Sequence, residues 1–160
     1  MSTRKNTPFV ITLIGALLCL TLFAGQTQGG HILSNLTTKL TCHFYHANLF
    51  HWFCNAMTIW IMRPSPKLIA CAFPYAVMAM CFTLTPTVGF SSVIYAYIGM
   101  NIIRWNVSLI DWGTFIIVNI ITIFIPWIAF GVHLAAFLFG ISHYIVERQL
   151  NHIVSTIADK

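Results

Sequence analysis

Residues 68–103 decide the predicted fold, and they read LIACAFPYAVMAMCFTLTPTVGFSSVIYAYIGMNII without a single charge. One helix of this length would exceed about 50 Å at about 1.5 Å per residue, whereas the hydrocarbon core of a bilayer is about 30 Å thick. The breaker Thr85-Pro86-Thr87 stands near the middle of the stretch. The stretch therefore predicts two helices joined by a turn.

The composition of the whole chain explains why such uncharged stretches are possible. Of the 160 residues, 58% are hydrophobic and 7% are charged, with eight Lys or Arg against three Asp or Glu. A soluble domain carries roughly a quarter charged residues, so this chain cannot cover a water-facing surface. Because the cations are spread along the chain and form no basic patch, a nucleic-acid partner is excluded and a lipid bilayer is favoured.

The positions of the charges predict an all-α polytopic membrane protein. We expect one membrane domain over residues 1–160, built as a six-transmembrane-helix bundle. The polar tail 147–160 extends the last helix, and Pro126-Trp127 marks the turn of the second hairpin. The six predicted helices cover residues 8–24, 41–62, 68–84, 88–103, 112–125 and 128–146.

The cations also predict an orientation. If the N-terminus is cytoplasmic, every Lys and Arg except Lys39 falls on the cytoplasmic side, as the positive-inside rule requires. We therefore expect an integral protein of a bacterial cytoplasmic membrane with both termini in the cytoplasm. The alternative is that residues 1–25 form a cleaved signal peptide, which would leave five helices.

Several polar residues lie inside the predicted spans, where each needs a partner or a function. Ser91 and His133 lie near the outer ends of the fourth and sixth predicted helices, at a similar depth of about 10 Å. His51 and Asn55 share one face of the second helix because they are four residues apart, and Ser91 and Tyr95 share a face in the same way. These residues could meet at one level of the bundle.

Small residues predict a close contact between the fourth and sixth helices, because they allow two backbones to approach. Such packing would bring Ser91 toward His133. The small residues are Gly89, Ser92, Ala96 and Gly99 in the fourth helix, and Ala136 and Gly140 in the sixth.

Acyl transfer is the chemistry that these side chains suggest. A neutral imidazole activates a serine hydroxyl, and the predicted spans contain no carboxylate to complete a triad. We therefore expect a Ser91–His133 dyad with Tyr95 packed against the imidazole. His51, Asn55 and the backbone N–H of Ser91 could stabilise the tetrahedral intermediate. This chemistry calls for no cofactor and no metal.

Three motifs carry a resemblance to the rhomboid family of intramembrane serine proteases. The family has an H-x4-H-x3-N pattern in its second helix, a GxSG pattern followed by Tyr in its fourth, and a histidine followed by small residues in its sixth. The matching residues are His46, His51 and Asn55; Gly89, Ser91, Ser92 and Tyr95; and His133, Ala136 and Gly140.

The resemblance implies a six-helix rhomboid-like bundle whose substrates are transmembrane segments of other membrane proteins, cut near the outer face. It leaves the oligomeric state open. Its implied roles are nucleophile for Ser91, general base for His133, oxyanion stabilisation for His51 and Asn55, support for Tyr95, and a structural histidine for His46. The sequence departs from the family pattern at Ser92 and Ala136, which replace glycines, and at Cys42, where many members have histidine.

Two alternative functions remain open at this point. One is a catalytically inactive rhomboid-like protein that binds client transmembrane helices, which Ser92 favours and the intact pair of Ser91 and His133 disfavours. The other is a heme or metal site, because neutral imidazoles suit several transition metals. Its ligands would come from His43, His46, His51 and His133.

Overall fold

The computed structural model describes residues 3–23, 29–105, 112–113, 115–117, 119–120 and 129–158. Regular structure in these ranges is helical, apart from an isolated antiparallel bridge between Gly30 and Thr87. The expected all-α class is confirmed. The α-helices are α1 (Thr7–Phe23), α2 (Leu36–Thr41), α3 (Leu49–Met62), α4 (Pro66–Ala79), α5 (Ser91–Asn101) and α6 (Phe130–Ala158), and 3-10 turns cover Thr3–Asn6, Cys42–Phe44 and Met80–Phe82.

The predicted six-transmembrane-helix, rhomboid-like bundle is wrong. Among the described residues, only α6 is both long and apolar enough to cross a membrane, with 29 residues. Helices α3 and α4 have 14 residues each and α5 has 11. At about 1.5 Å per residue these three span about 21 Å or less, well short of the hydrocarbon core of about 30 Å. Helix α1 is apolar and has 17 residues, at the lower limit of the length of a spanning helix.

Local capping explains why α3 is shorter than the predicted helix 41–62. The side chain of Asn48 accepts a hydrogen bond of 2.8 Å from the His51 N–H, so α3 begins after Asn48 and not at Thr41. Ser65 caps the start of α4 in the same way. Helix α3 ends at Met62, and the cap residue Arg63 that follows has a left-handed conformation with φ of 46°. Hydropathy does not reveal these hydrogen bonds.

Two sequence predictions fall mainly outside the described residues. Of the predicted helix 112–125, residues 112–113, 115–117 and 119–120 are described and are helical, whereas Pro126-Trp127 lies outside the described ranges. The cleavage point of the signal-peptide alternative, at Ala24 and Gly25, also lies outside them. Most residues of the predicted sixth helix and of the polar tail form one continuous helix, α6, from Phe130 to Ala158.

Helix α5 is the most enclosed helix, and it packs mainly against α6 and α4. The contact with α6 depends on two glycines. A Cβ atom added to Gly140 would press against the Ala96 carbonyl oxygen and lie 2.9 Å from the Met100 backbone nitrogen, closer than real Cβ atoms come. It would also lie 3.0 Å from the Gly99 Cα atom. The structure thus confirms the close packing that small residues predicted for these two helices.

Helices α5 and α6 run parallel, and three contacts mark their register. Ser91 meets His133 at one end, Gly99 meets Gly140 in the middle, and Arg104 forms an ion pair with Glu147 beyond the end of α5. The first two contacts are separated by eight residues in α5 and seven in α6, or about 11–12 Å in each helix. The glycine contact therefore determines which residues face each other at the ends.

We expect Gly140→Val to lower the thermal unfolding temperature because its side chain would press against the α5 backbone. Overpacking of this kind costs about 1–3 kcal/mol. The measurement is thermal unfolding of the purified chain.

Gly15→Ala is the matched control, since a Cβ atom at Gly15 in α1 would meet nothing within 4 Å. Alanine in a helix is favoured over glycine by about 0.5–1 kcal/mol, so this variant should be at least as stable as the wild type. Equal unfolding temperatures for Gly140→Val and the wild type would contradict the glycine contact.

Candidate active site

The structure brings the predicted pair of Ser91 and His133 together. Ser91 is the first residue of α5, and His133 lies in the first turn of α6. The Ser91 Oγ atom lies 2.8 Å from the His133 Nε2 atom, although 42 residues separate the two in sequence. This distance is within hydrogen-bond reach, which a base needs in order to accept a proton from the hydroxyl.

Tyr95 holds the imidazole by stacking, as the sequence predicted. The rings of Tyr95 and His133 are parallel, with 4.4 Å between their centroids and an angle of 3° between their planes. Tyr95 in turn forms a hydrogen bond with the side chain of Asn119. The Nδ1 atom of His133 is buried and has no hydrogen-bond partner among the described residues. Packing against Tyr95 therefore orients the His133 ring, whereas a carboxylate orients the histidine in a triad.

His51 lies directly against the turn that precedes the serine. Gly89 has a φ of +128°, and a Cβ atom there would lie 2.5 Å from the His51 Cε1 atom and 2.7 Å from its Nε2 atom. Only glycine is compatible with both this backbone conformation and this contact. Because Gly89 has no side chain, the His51 imidazole can pack against the backbone two residues before Ser91.

Asn55 lies one turn beyond His51 in α3 and is buried. Its Nδ2 atom has no hydrogen-bond partner among the described residues. A cavity of about 920 Å³ is lined by Asn55, His51, Ser91 and His133 together with apolar side chains and further polar ones, Ser92 among them. The four residues predicted for nucleophile, base and oxyanion stabilisation therefore line a single cavity.

His46 lies in the connection before α3, so the sequence was wrong to place it inside a helix. Its Nδ1 atom is 3.2 Å from the Thr21 Oγ1 atom of α1. Its ring meets the His51 ring edge-on, with 5.1 Å between centroids. The expected structural histidine thus lies behind His51 and connects it to α1.

A second serine–histidine pair was missed by the sequence reasoning. The Ser92 Oγ atom lies 2.8 Å from the His43 Nδ1 atom, and both residues are buried. The sequence showed Ser92 only as a departure from glycine and His43 only as a candidate ligand. Because 49 residues separate them and His43 precedes α3, no helical spacing could have predicted their contact.

The four histidines of the heme or metal alternative do not form a ligand set. Three of them are engaged with different hydroxyl groups, and His51 packs on Gly89. Within the described ranges, no three His, Cys, Asp or Glu side chains are grouped so as to hold a metal ion. This alternative therefore has no support in the described part of the chain.

A separate polar cluster lies toward the other end of α6. The Tyr75 hydroxyl is 2.9 Å from the His143 Nδ1 atom, and Glu147 is paired with Arg104 and lies 3.7 Å from the His143 Nε2 atom. The ion-pair side chains of this cluster are more than one-third exposed. Such exposed pairs contribute little stability, so the cluster is a minor tie between α4, α6 and the end of α5.

Comparison of the chain with protein-family models, with curated proteins and with solved structures gives no match. The functional assignment therefore rests on the geometry and chemistry of the cavity.

Burial determines the charge of two histidines that lie outside α6. It lowers the pKa of His43 from 6.5 to about 4, and it lowers the pKa of His46 to about 4 with a smaller contribution from neighbouring His51. Both imidazoles are therefore neutral at pH 7 in the folded chain.

We expect the free energy of unfolding to fall as the pH drops from about 6.5 to 4. In this interval the unfolded chain binds protons at His43 and His46, while the folded chain does not. The whole chain has only three Asp or Glu residues, so carboxylate titration adds little to the effect. The measurement is the unfolding temperature between pH 4.5 and 7.5.

His43→Asn should weaken this pH dependence and leave the contribution of His46, because the amide occupies the position of Nδ1 and does not titrate. An unfolding temperature of the wild type that is constant across this range would contradict the burial of neutral imidazoles.

Proposed function

We propose that the chain is a serine endopeptidase that cleaves transmembrane segments of other membrane proteins. The observation that carries the proposal is the 2.8 Å contact between the Ser91 Oγ and His133 Nε2 atoms at the wall of a cavity that His51 and Asn55 also line. Nucleophile, base and hydrogen-bond donors surround one space, which is the arrangement that acyl transfer needs.

In the first half of the reaction, the Ser91 Oγ atom attacks the carbonyl carbon of the scissile peptide bond while its proton passes to the His133 Nε2 atom. Negative charge develops on the carbonyl oxygen. The unpartnered Asn55 Nδ2 group, an N–H of His51 and the backbone N–H of Ser91 are available to donate hydrogen bonds to it. Ser91 begins α5, so its N–H has no acceptor within the helix.

In the second half, the imidazolium of His133 gives its proton to the leaving amine and the peptide C–N bond breaks. The acyl group remains as an ester on Ser91. A water molecule then attacks the ester carbonyl carbon while His133 accepts the proton of the water. The C–O bond to Ser91 breaks, His133 returns the proton to the Ser91 Oγ atom, and the carboxylic acid product leaves. The parallel Tyr95 ring supports the imidazole through both halves because it stacks on the ring in either charge state.

The residues of the cavity wall support the proposal that the substrate is apolar. Phe50 of α3 and Leu84 of the connection before α5 both line the cavity and are 76% and 78% exposed. Exposed apolar side chains beside a reactive serine are suited to an extended apolar segment. The first turn of α6, the candidate membrane helix, lines the same cavity, so such a segment could reach the dyad from the bilayer.

The resemblance of the motif residues to those of rhomboid proteases supports this proposal, which does not include the six-helix architecture. We also propose a bacterial cytoplasmic membrane as the location, with both termini in the cytoplasm. Arg4 and Lys5 near one end and Arg148 and Lys160 near the other support this orientation. With both ends on the same side, the chain must cross the membrane once more in addition to α6. Reporter fusions at the two ends would test this orientation.

We expect a fluorophosphonate probe to label the wild-type chain at Ser91, because the probe forms a covalent bond with an activated serine. Ser91→Ala should abolish labelling, and His133→Asn should reduce it by about 10²- to 10⁴-fold through loss of the base. The measurement is the labelling rate, with the labelled residue identified by peptide mapping.

Ser142→Ala is the matched control. Ser142 lies in the same helix as His133, and its hydroxyl donates to the Phe139 carbonyl oxygen outside the cavity. This variant should be labelled at the wild-type rate. A wild-type chain that is folded and unlabelled would overturn the protease proposal and leave the non-catalytic binding of client helices as the better reading.

A further inference from the structure

The three residues of the turn Cys42–Phe44 each contact one neighbour of Ser91. The Gly89 N–H donates a hydrogen bond of 3.0 Å to the Cys42 carbonyl oxygen. The Phe44 ring packs on the Phe90 ring, with 6.3 Å between centroids. The His43 Nδ1 atom bonds the Ser92 Oγ atom at 2.8 Å. Every residue from 89 to 92 except Ser91 is therefore held by this turn.

The turn Cys42–Phe44 is itself anchored from behind. Phe73 of α4 meets the His43 ring edge-on at 5.3 Å and stacks on the Phe44 ring at 5.4 Å. Cys42 and His43 are both 0% exposed. A buried, close-packed turn of this kind cannot shift without disturbing α4, so it is a rigid support for whatever it holds.

We infer that Ser92 and His43 are positioning residues that hold the N-terminal turn of α5 so that the Ser91 hydroxyl faces His133. The inference rests on the proposed function. It gives the serine at position 92 a role that the family glycine cannot have, because glycine has no hydroxyl to bond the imidazole. Ser92 is then an adaptation of the site and not a sign of lost activity.

Geometry separates this pair from the catalytic pair. Ser92 is 1% exposed, whereas Ser91 is partly exposed at the cavity. Ser92 and His133 both belong to the residues that line the cavity, whereas His43 does not. A probe or substrate in the cavity can therefore reach the Ser91–His133 pair. The Ser92 hydroxyl is almost fully buried and is bonded to the buried His43, so this pair acts through the backbone that it holds.

The fluorophosphonate probe tests this role on the full chain. We expect Ser92→Ala to lower the labelling rate at saturating probe by about 10- to 100-fold, the cost of a small misplacement of a reacting group. The probe concentration for half-maximal rate should change little, since Ser92 is only 1% exposed and contributes almost no surface to the cavity wall. His43→Asn should retain more activity than His43→Leu, because an amide can bond the Ser92 hydroxyl. Ser92→Thr, which keeps the hydroxyl, should restore labelling at Ser91.

Asn101→Ala controls for a general loss of stability. Asn101 is a buried polar residue at the other end of α5, and its Nδ2 group donates to the Tyr97 carbonyl oxygen. At equal folded fraction, this variant should be labelled at the wild-type rate.

Three results would overturn the positioning role. These are wild-type labelling rates in both Ser92→Ala and His43→Leu, a loss in Asn101→Ala as large as that in Ser92→Ala, or a label mapped to Ser92 itself. Failure of the wild type to react would instead overturn the proposed function, so the two failures are distinguishable.

Discussion

The close approach of α5 and α6 at Gly99 and Gly140 is the contact on which the rest of the site depends. Two parallel helices with the same rise per residue stay in register over two turns, so a contact in the middle determines which residues meet at the ends. In this chain that register places Ser91 opposite His133. Larger side chains at the glycines would separate the backbones and move Ser91 away from His133.

In the described part of the chain, aromatic packing and not a carboxylate orients the His133 ring. Where a triad uses an ionised side chain to hold its histidine, this chain stacks the imidazole on Tyr95 and leaves the Nδ1 atom without a described partner. On the other side of the serine, the turn Cys42–Phe44 holds the neighbouring backbone. Aromatic packing and neutral hydrogen bonds suit a chain with few charges, because a buried unpaired carboxylate would be costly.

The sequence predicted the residues of the candidate site more accurately than it predicted the lengths of the helices. Polar residues are conspicuous in an apolar chain, so Ser91, His133, His51 and Asn55 could be selected by type and spacing, and the structure places all four around one cavity. The six-span prediction was wrong because it took absence of charge as continuity of helix. The Asn48 cap shortens the second predicted helix by a local hydrogen bond that carries no hydropathy signal.

The sequence by itself determined the all-α class, the small residues at the α5–α6 contact and the polar residues available for chemistry. These follow from composition and helical periodicity, which are local properties of the chain. Only the tertiary structure decided which polar groups meet. The contacts of His43 with Ser92, of His46 with Thr21 and of Tyr75 with His143 join residues 25 to 68 positions apart. Such contacts depend on how separate elements pack, and no periodicity within one helix encodes that.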